Sequence, residues 1–232
     1  MWTIGSAMAL ALLGVAGGFA SGRLLEDEPA TIASATPVPA TAPSYPVNEY
    51  DVLPDPGIAP LGTGLPSHTE HFRLNDFRLT ASVPDGWRRV ELTGGSAWNF
   101  SPPSNPLNAY VLRIEIVAGS RSSVSAAKGA RLLRLQSAQA DGNMQRLVIE
   151  DETEDGIVAS YLDPRRGPDK EILPGFYQRV TLERWLTFGS DTAYADIAVT
   201  GRNVDREGMA DLLERVATSA AIPPERTKKQ QP

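Results

Sequence analysis

Residues 110–116 read Tyr-Val-Leu-Arg-Ile-Glu-Ile, and their alternation is the clearest indication of the fold of the chain. Apolar residues recur at every second position, and Arg113 and Glu115 lie between them. Because successive side chains of a β-strand point to opposite faces, the pattern predicts a strand that buries one face only. Such strands are typical of antiparallel sheets. The apolar residues on the shared face are Tyr110, Leu112, Ile114 and Ile116.

Further segments on both sides of this stretch carry strand patterns. Residues 77–83 alternate and stop at the Pro-Asp-Gly-Trp of residues 84–87, which is typical of a strand followed by a turn. Residues 147–149 and 157–159 flank a short acidic segment and predict a hairpin. The remaining predicted strands are a long one at residues 177–188 and a last one at residues 194–200.

Two segments have the period of an amphipathic helix, at residues 124–138 and at residues 206–219. The candidate N-caps are Ser122 or Ser123 for the first helix and Asn203 or Asp205 for the second. The second helix has the more continuous apolar stripe, formed by Met209, Leu212, Leu213, Val216 and Ala220. The sequence therefore predicts an α+β fold, in which an antiparallel sheet packs with two helices.

The order of these elements resembles the PsbP-like α/β/α sandwiches. The resemblance is carried by residues 79–87, Leu-Thr-Ala-Ser-Val-Pro-Asp-Gly-Trp, and by residues 195–201, Ala-Asp-Ile-Ala-Val-Thr-Gly, which lead into the last helix. Within these sandwiches the chain is most similar to the actinobacterial LpqN-type lipoproteins, over residues 72–222. The resemblance implies an accessory or binding role on the extracytoplasmic face, without shared catalytic residues. The lipidated cysteine of that family is missing, because the chain contains no cysteine.

The N-terminal segment from Trp2 to Gly22 has no ionisable side chain. At about 1.5 Å of rise per helical residue, it can cross the roughly 30 Å of hydrocarbon in a bilayer. Residues 1–25 are therefore predicted to be a transmembrane anchor or a signal segment. A retained anchor makes this a single-pass protein of the cell membrane, with its domain on the extracytoplasmic side.

Two features of this segment leave alternatives open. Residues 18–20, Gly-Phe-Ala, suit cleavage by a signal peptidase, and Arg23 after the segment suits a domain that faces the cytoplasm. Three glycines share one helical face, where a second transmembrane helix could pack closely, although the same residues also fit a composition rich in small side chains. These glycines are Gly14, Gly18 and Gly22.

Composition divides the rest of the chain. Residues 26–69 are rich in proline, alanine and threonine, which predicts a disordered, extended linker. Residues 70–222 form the predicted α+β domain, and residues 223–232 form a predicted disordered tail.

Charge and cysteine content exclude several classes of function. A formal net charge of -6 opposes a nucleic-acid partner, because phosphate binding requires clustered cations. The absence of cysteine excludes a disulfide framework, a thiolate zinc site and a cysteine nucleophile. The sequence has neither of the glycine-rich patterns that cradle nucleotide phosphates, so we expect no cofactor.

Two short segments look like metal sites but are better explained otherwise. Both histidines of the chain, His68 and His71, lie beside Glu70, yet on a strand His71 points away from the other two. Residues 150–156 partly match a calcium loop, but Leu162 stands where such a loop has its bidentate glutamate. We expect a solvated junction and an exposed acidic turn, and no metal.

Candidate binding residues are cationic side chains. Arg165, Arg166 and Lys170 lie in a predicted loop at residues 163–171, where a pair of guanidinium groups could bind an anionic group. Arg184 interrupts the apolar face of the strand at residues 177–188, so it should pair with a buried acid or mark a polar pocket. Several aromatic residues could line a groove, but such residues in strands more often form the core: Trp87, Trp98, Phe100, Trp185 and Tyr194.

These features predict a membrane-anchored, extracytoplasmic accessory or binding module without catalytic activity of its own. Its partner would be another envelope protein or a cell-wall component. One alternative is a hydrolase whose site is assembled from scattered carboxylates, which sequence alone cannot pair. The other is a regulatory domain that faces the cytoplasm on a signal-anchor.

Overall fold

The computed structural model describes residues 50–92, 94–169 and 171–224, and over these residues the chain forms nine strands and two α-helices. The strands are β1 (Ser67–Leu74), β2 (Phe77–Pro84), β3 (Arg88–Glu91), β4 (Ala97–Ser101), β5 (Val111–Ile116), β6 (Gln145–Glu152), β7 (Gly156–Arg166), β8 (Ile172–Leu186) and β9 (Ala195–Gly201). The helices are α1 (Val124–Ala140) and α2 (Arg206–Ser219). The predicted α+β class and both predicted helices are confirmed.

Seven of the strands form one antiparallel sheet in the order β3-β4-β5-β9-β8-β7-β6, and β1 and β2 form a separate hairpin. β5 lies inside the sheet between β4 and β9, as its alternating pattern requires. The hairpin predicted around the acidic turn is also present, as β6 and β7.

One face of the sheet, which we call the apolar face, packs against α2 and the β1-β2 hairpin. The alternate residues of β5 predicted to share a face, Leu112, Ile114 and Ile116, are all buried there. The predicted stripe of α2 covers them, and Met209, Leu212 and Val216 of that stripe are also buried. The aromatic residues predicted to be core belong to this layer or pack on it, with the exception of Trp185.

The other face of the sheet, which we call the charged face, is covered by α1. Ser123 caps this helix, because its side chain accepts a hydrogen bond from the amide of Ala126. Leu135 of α1 packs with Ile157 of β7 and Trp185 of β8 in a second, smaller hydrophobic cluster. The predicted N-cap Ser123 is thus confirmed, whereas Asp205 at the start of α2 makes no side-chain capping bond.

Two element boundaries differ from the prediction. β7 continues to Arg166 and β8 begins at Ile172, so the predicted loop at residues 163–171 is reduced to a short connection. The strands continue because Asp163 and Pro164 pair with Tyr177 and Phe176 of β8, and a register shift between Pro164 and Arg166 follows. Pro164 and Gly167 suggested a turn, but the hairpin tolerates the proline at a bulge.

Residues 50–66, which we call the strap, pack on the domain although they belong to the predicted linker. Arg202 donates hydrogen bonds to the carbonyls of Pro56, Ile58 and Ala59 at 3.0, 3.2 and 3.1 Å. Leu61 is buried, and its amide donates to Asp205 at 2.9 Å. β1 begins at Ser67, before the predicted domain boundary at residue 70. Proline-rich composition predicted disorder here, but a buried arginine satisfies the backbone of the strap.

Several predictions fall on residues outside the described part of the chain. These are the transmembrane or signal segment with Gly14, Gly18 and Gly22, the first part of the linker, Lys170 and the last residues of the tail. Among the residues that the structure does describe, no helix combines the length and the apolar character needed to cross a bilayer.

Candidate functional site

Three connections meet at one end of the sheet and line an open cavity of about 620 Å³, which we call the loop-end cavity. The β6-β7 turn and the β8-β9 loop lie at the same end because Gly156, at the start of β7, pairs with Arg184 near the end of β8. The start of α1 is held beside them, since the amide of Ala193 donates to the carbonyl of Ser122 at 2.9 Å. The volume is within the range of small-molecule sites, about 300–1,000 Å³.

Hydroxyl and carboxylate groups dominate the lining of this cavity. The lining residues are Ser123, Val124 and Ser125 of α1 and its cap, Glu154 and Asp155 of the β6-β7 turn, Arg184, Trp185 and Leu186 of β8, and Thr187, Ser190 and Asp191 of the β8-β9 loop. The lining includes three carboxylates and one guanidinium, so the cavity favours ligands that carry a cation or several hydroxyl groups.

Arg184 lines the loop-end cavity and is held by two acids. Its Nε donates to Asp155 at 2.9 Å and its Nη1 donates to Glu214 of α2 at 2.8 Å. The hydrogen bond that Arg184 donates to Asp155, with the charges of both acids, raises the pKa of Arg184 above its ordinary value. The sequence predicted either a buried acid or a polar pocket around Arg184. The structure shows the pocket, while both acids are substantially exposed.

A smaller cavity of about 250 Å³ lies on the other side of Arg184. Its walls include Val158, Leu182 and Leu213, and it shares Asp155 and Arg184 with the loop-end cavity. Gly156 is required at this junction, because a Cβ there would lie 2.9 Å from the carbonyl oxygen of Glu183. A ligand in the loop-end cavity would thus find a mainly apolar recess beside Arg184.

Behind the loop-end cavity, on the charged face, lies a group of charged side chains that we call the ion cluster. Its members are Arg113 and Glu115 of β5, Arg131 of α1, Glu183 of β8 and Asp196 of β9. Asp196 is the register partner of Trp185, a lining residue of the cavity. Glu183 lies on β8 next to Arg184, so the ion cluster adjoins the strand that lines the cavity.

Two arginines divide the buried carboxylates of the ion cluster between them. Arg131 Nε donates to both carboxylate oxygens of Glu183, at 3.0 and 2.8 Å. Arg113 Nη2 donates to Asp196 Oδ2 at 2.7 Å and lies 3.6 Å from Glu183 Oε2. Both carboxylates are almost inaccessible to water, with side-chain exposures of 0% for Glu183 and 2% for Asp196.

Burial changes the acidity of groups on this face. Burial is the main cause that raises the pKa of Asp196 to about 7, and the charges of Glu183 and Glu115 add to it while Arg113 opposes it. Burial also raises the pKa of Tyr161 on β7 to about 12. Glu183 and Asp196 come together only in the fold, because they lie on neighbouring strands and point to the same face.

The predicted cationic residues do not meet in one place. Arg165 and Arg166 are exposed at the far end of β7, where Arg166 pairs with Ile172, whereas Arg184 pairs with Gly156 at the near end. At 3.3 Å per residue, the two ends of β7 are about 33 Å apart. Lys170 lies outside the described residues. Arg166 also contacts Asn143, with 3.4 Å between Nη2 and Oδ1.

The two histidines lie on β1, away from the loop-end cavity. His68 contacts Asp85 at 2.8 Å and Glu70 at 3.4 Å, and this arrangement confirms that His68 and Glu70 share a face of the strand. The hydrogen bond that the His68 ring makes to the Asp85 carboxylate, followed by that to Glu70, raises the pKa of His68. Within residues 50–92, 94–169 and 171–224, no three metal-ligating side chains are grouped so that they could hold an ion.

Sequence reasoning missed the ion cluster. The alternate residues Arg179, Thr181 and Glu183 of β8 look like the solvent side of a strand, yet all three are buried. One signal was present, since Tyr177 and Trp185 continue the same alternation and large aromatic residues seldom line an open face.

Comparison with known proteins gives similarities of fold. The chain is similar to the Ran-binding protein Mog1p of Saccharomyces cerevisiae, with 6% identity, a TM-score of 0.42, and coverage of 68% of this chain and 96% of that chain. It is also similar to the cyanobacterial PsbP, CyanoP, of Synechocystis sp. PCC 6803, with 14% identity, a TM-score of 0.40, and coverage of 70% and 96%. No protein-family model matches the chain, and no curated protein sequence matches it. Neither of the two structures is an LpqN-type lipoprotein, so that finer resemblance stays a prediction.

Proposed function

We propose that this chain is a membrane-anchored binding module of the extracytoplasmic face, and that its ligand enters the loop-end cavity. The observation that carries the proposal is the cavity itself, in which Arg184 is fixed between Asp155 and Glu214 beside a row of hydroxyl groups. A guanidinium that is already held in place loses little conformational freedom when it donates a hydrogen bond to a hydroxyl oxygen of a ligand. The finer resemblance to LpqN-type lipoproteins belongs to this proposal.

The distribution of acids favours binding over hydrolysis. A hydrolase that works with two carboxyl groups needs an acid of raised pKa in contact with the substrate. The carboxyl group of Asp196 has a raised pKa, but it is nearly inaccessible and does not line the loop-end cavity. The carboxylates that do line the cavity can instead bind the hydroxyl or amino groups of a ligand.

The chemistry of the cavity defines the class of ligand. Glu154, Asp155 and Asp191 outnumber Arg184, and the nearby hydroxyls both donate and accept hydrogen bonds. A part of a cell-wall component that bears amino and hydroxyl groups fits this lining, as does a basic segment of another envelope protein. The proposed location at the membrane rests on the apolar stretch from Trp2 to Gly22.

A single-cysteine experiment tests on which side of the membrane the domain lies. It is possible because the natural chain has no cysteine. Ser190→Cys places a thiol at the exposed rim of the loop-end cavity in the full-length protein. We expect a membrane-impermeant maleimide to label it in intact cells. Labelling only after the membrane is permeabilised would support the cytoplasm-facing alternative and overturn the proposed address.

The same variant tests the site. A thiol-directed photocrosslinker on Ser190→Cys should give a discrete adduct in intact cells. Arg165→Cys, at the far end of β7, and Ser137→Cys, on the exposed side of α1, serve as matched controls and should give none. An adduct from Arg165→Cys alone would move the binding site to the other end of the sheet. Equal amounts of adduct from all three positions would show that the crosslinker captures neighbouring molecules without a specific binding site at the loop-end cavity.

A further inference from the structure

The ion cluster is not needed to explain the loop-end cavity, and its charges do not balance. Two guanidinium groups, Arg113 and Arg131, face three carboxyl groups, Glu115, Glu183 and Asp196. These are the charged groups that β5, α1, β8 and β9 direct towards Asp196. Only Glu183 and Asp196 are fully buried, and an ionised carboxylate inside a protein costs several kcal/mol unless a proton or another cation compensates it.

The hydrogen bonds of the cluster show which carboxyl group is left over. Glu183 is bound by Arg131 through both of its oxygens and is also within 3.4 Å of the Thr181 hydroxyl. Asp196 Oδ2 accepts from Arg113, but Asp196 Oδ1 is buried and has no hydrogen-bond partner. An ionised carboxylate accepts several hydrogen bonds, whereas a neutral carboxyl group requires fewer. Because Oδ1 accepts no hydrogen bond, the ionised form of Asp196 is the less well stabilised of the two buried carboxylates, and Asp196 is therefore the carboxyl group that a proton would neutralise.

We propose that Asp196 is a proton-binding site: it holds a proton in the folded protein at neutral pH, releases it when the chain unfolds, and makes the domain more stable in mildly acidic than in alkaline surroundings. With Asp196 neutral, Arg113 and Arg131 are balanced by Glu115 and Glu183. Arg113 can then turn towards Glu183, which is already 3.6 Å away.

The sign of the effect follows from proton binding in the two states. The folded-state pKa of Asp196 is about 7, above the value of about 3.9 for an aspartate in an unfolded chain. Between these values the folded state carries one proton more than the unfolded state. Lowering the pH therefore favours folding, and the stability gained is lost as the pH rises through the folded-state pKa. Above it, the unfolding constant stops responding to this group.

The direct test is the titration of the Asp196 side chain in the full-length chain, labelled with ¹³C-aspartate in detergent micelles and assigned through the backbone. We expect the carboxyl carbon of Asp196 to titrate with a pKa of about 7. In Glu183→Gln the midpoint should shift to lower pH, because a neighbouring negative charge is gone. A carboxyl carbon that titrates below about pH 5, as ordinary aspartates do, would overturn the proposal.

Urea unfolding supplies an independent measurement. Asp196→Asn mimics the protonated side chain, so the ratio of the wild-type to the Asp196→Asn unfolding constant should rise about tenfold per pH unit from about pH 5 to 7 and then level off. His68 also has a raised pKa, so His68→Gln serves as the background for both chains and removes its contribution. A ratio that stays constant from pH 5 to 9 contradicts a proton at Asp196. If Asp196→Asn does not fold, the ¹³C titration of the natural side chain decides.

Discussion

The two faces of the seven-stranded sheet are built from the same strands, but one is filled with hydrocarbon and the other with charge. On the apolar face, Leu112, Ile114 and Val199 pack under α2. On the charged face, the alternate residues Arg113, Glu183 and Asp196 meet Arg131 of α1. Hydrophobic burial is nearly independent of pH, whereas a cluster of buried ions depends on it strongly. We therefore expect the apolar face to contribute a stability that is nearly independent of pH. On the charged face, behind the loop-end cavity, we place the proton-binding site.

The largest effect is expected on the apolar face. Ile114→Ala removes a fully buried side chain from the middle of the sheet, and we expect it to lower the free energy of unfolding by about 2–5 kcal/mol. Val111→Ala on the same strand, where the side chain is only partly buried, should cost about 1 kcal/mol or less. Urea unfolding of both variants measures the difference. Equal losses would mean that the two faces contribute alike to the core.

The next effect is expected at the contact between α1 and the charged face. Arg131→Ala leaves Glu183 buried with only the more distant Arg113, and it should cost about 3 kcal/mol. Arg134→Ala, one turn further along the same helix and exposed, should change stability by less than about 0.5 kcal/mol. If Arg131→Ala leaves the free energy of unfolding unchanged, the packing of α1 on the sheet does not depend on the ion cluster.

The two helices also differ at their glycines. A Cβ on Gly208 of α2 would lie 2.0 Å from the carbonyl oxygen of Leu61, so Gly208→Ala should push the strap away. Hydrogen exchange at residues 56–62 should then accelerate. Gly129→Ala in α1 meets nothing within 4 Å, and helix propensity should make it stabilising by about 1 kcal/mol. Unchanged exchange in the strap of Gly208→Ala would contradict the packing of residues 56–62 on α2.

The smallest effect on stability is expected at the loop-end cavity. Arg184→Ala removes two partly exposed ion pairs and should cost less than about 1 kcal/mol, because water screens such pairs. The same substitution should remove most of the adduct formed by Ser190→Cys in intact cells. Arg165→Ala should leave that adduct unchanged. An adduct that survives Arg184→Ala would separate the cavity from the proposed binding function.

The comparison of the faces also explains what could be read from the sequence. Residues 110–116 and the stripe of α2 identified the apolar face, because a period of apolar residues reports burial directly. The charged face could not be recognised in the same way. Arg179, Thr181 and Glu183 alternate with apolar residues just as a solvent face does. Their burial depends on partners that are distant in the sequence, Arg131 of α1 for Glu183 and Asp55 of the strap for Arg179.

The ion pairs of the ion cluster could not be predicted, because their members lie far apart in the sequence. Arg131 and Glu183 are separated by 52 positions, and Arg113 and Asp196 by 83. The strap was missed for a similar reason, because its proline-rich composition says nothing about Arg202, which lies 146 positions beyond Pro56. Arg184 was identified because a single charge interrupts an apolar alternation, and that signal is local.

The difference between the faces is tested most directly by comparing Ile114→Ala and Arg113→Ala at pH 5.5 and pH 8.5. We expect the loss of unfolding free energy in Ile114→Ala to be the same at both pH values, within about 0.5 kcal/mol. The loss in Arg113→Ala should be larger at pH 8.5 by about 1–2 kcal/mol, because Asp196, with a pKa of about 7, is then ionised in the natural chain and loses its counter-ion in the variant. An Arg113→Ala loss that is the same at both pH values would contradict the assignment of a proton site to the charged face.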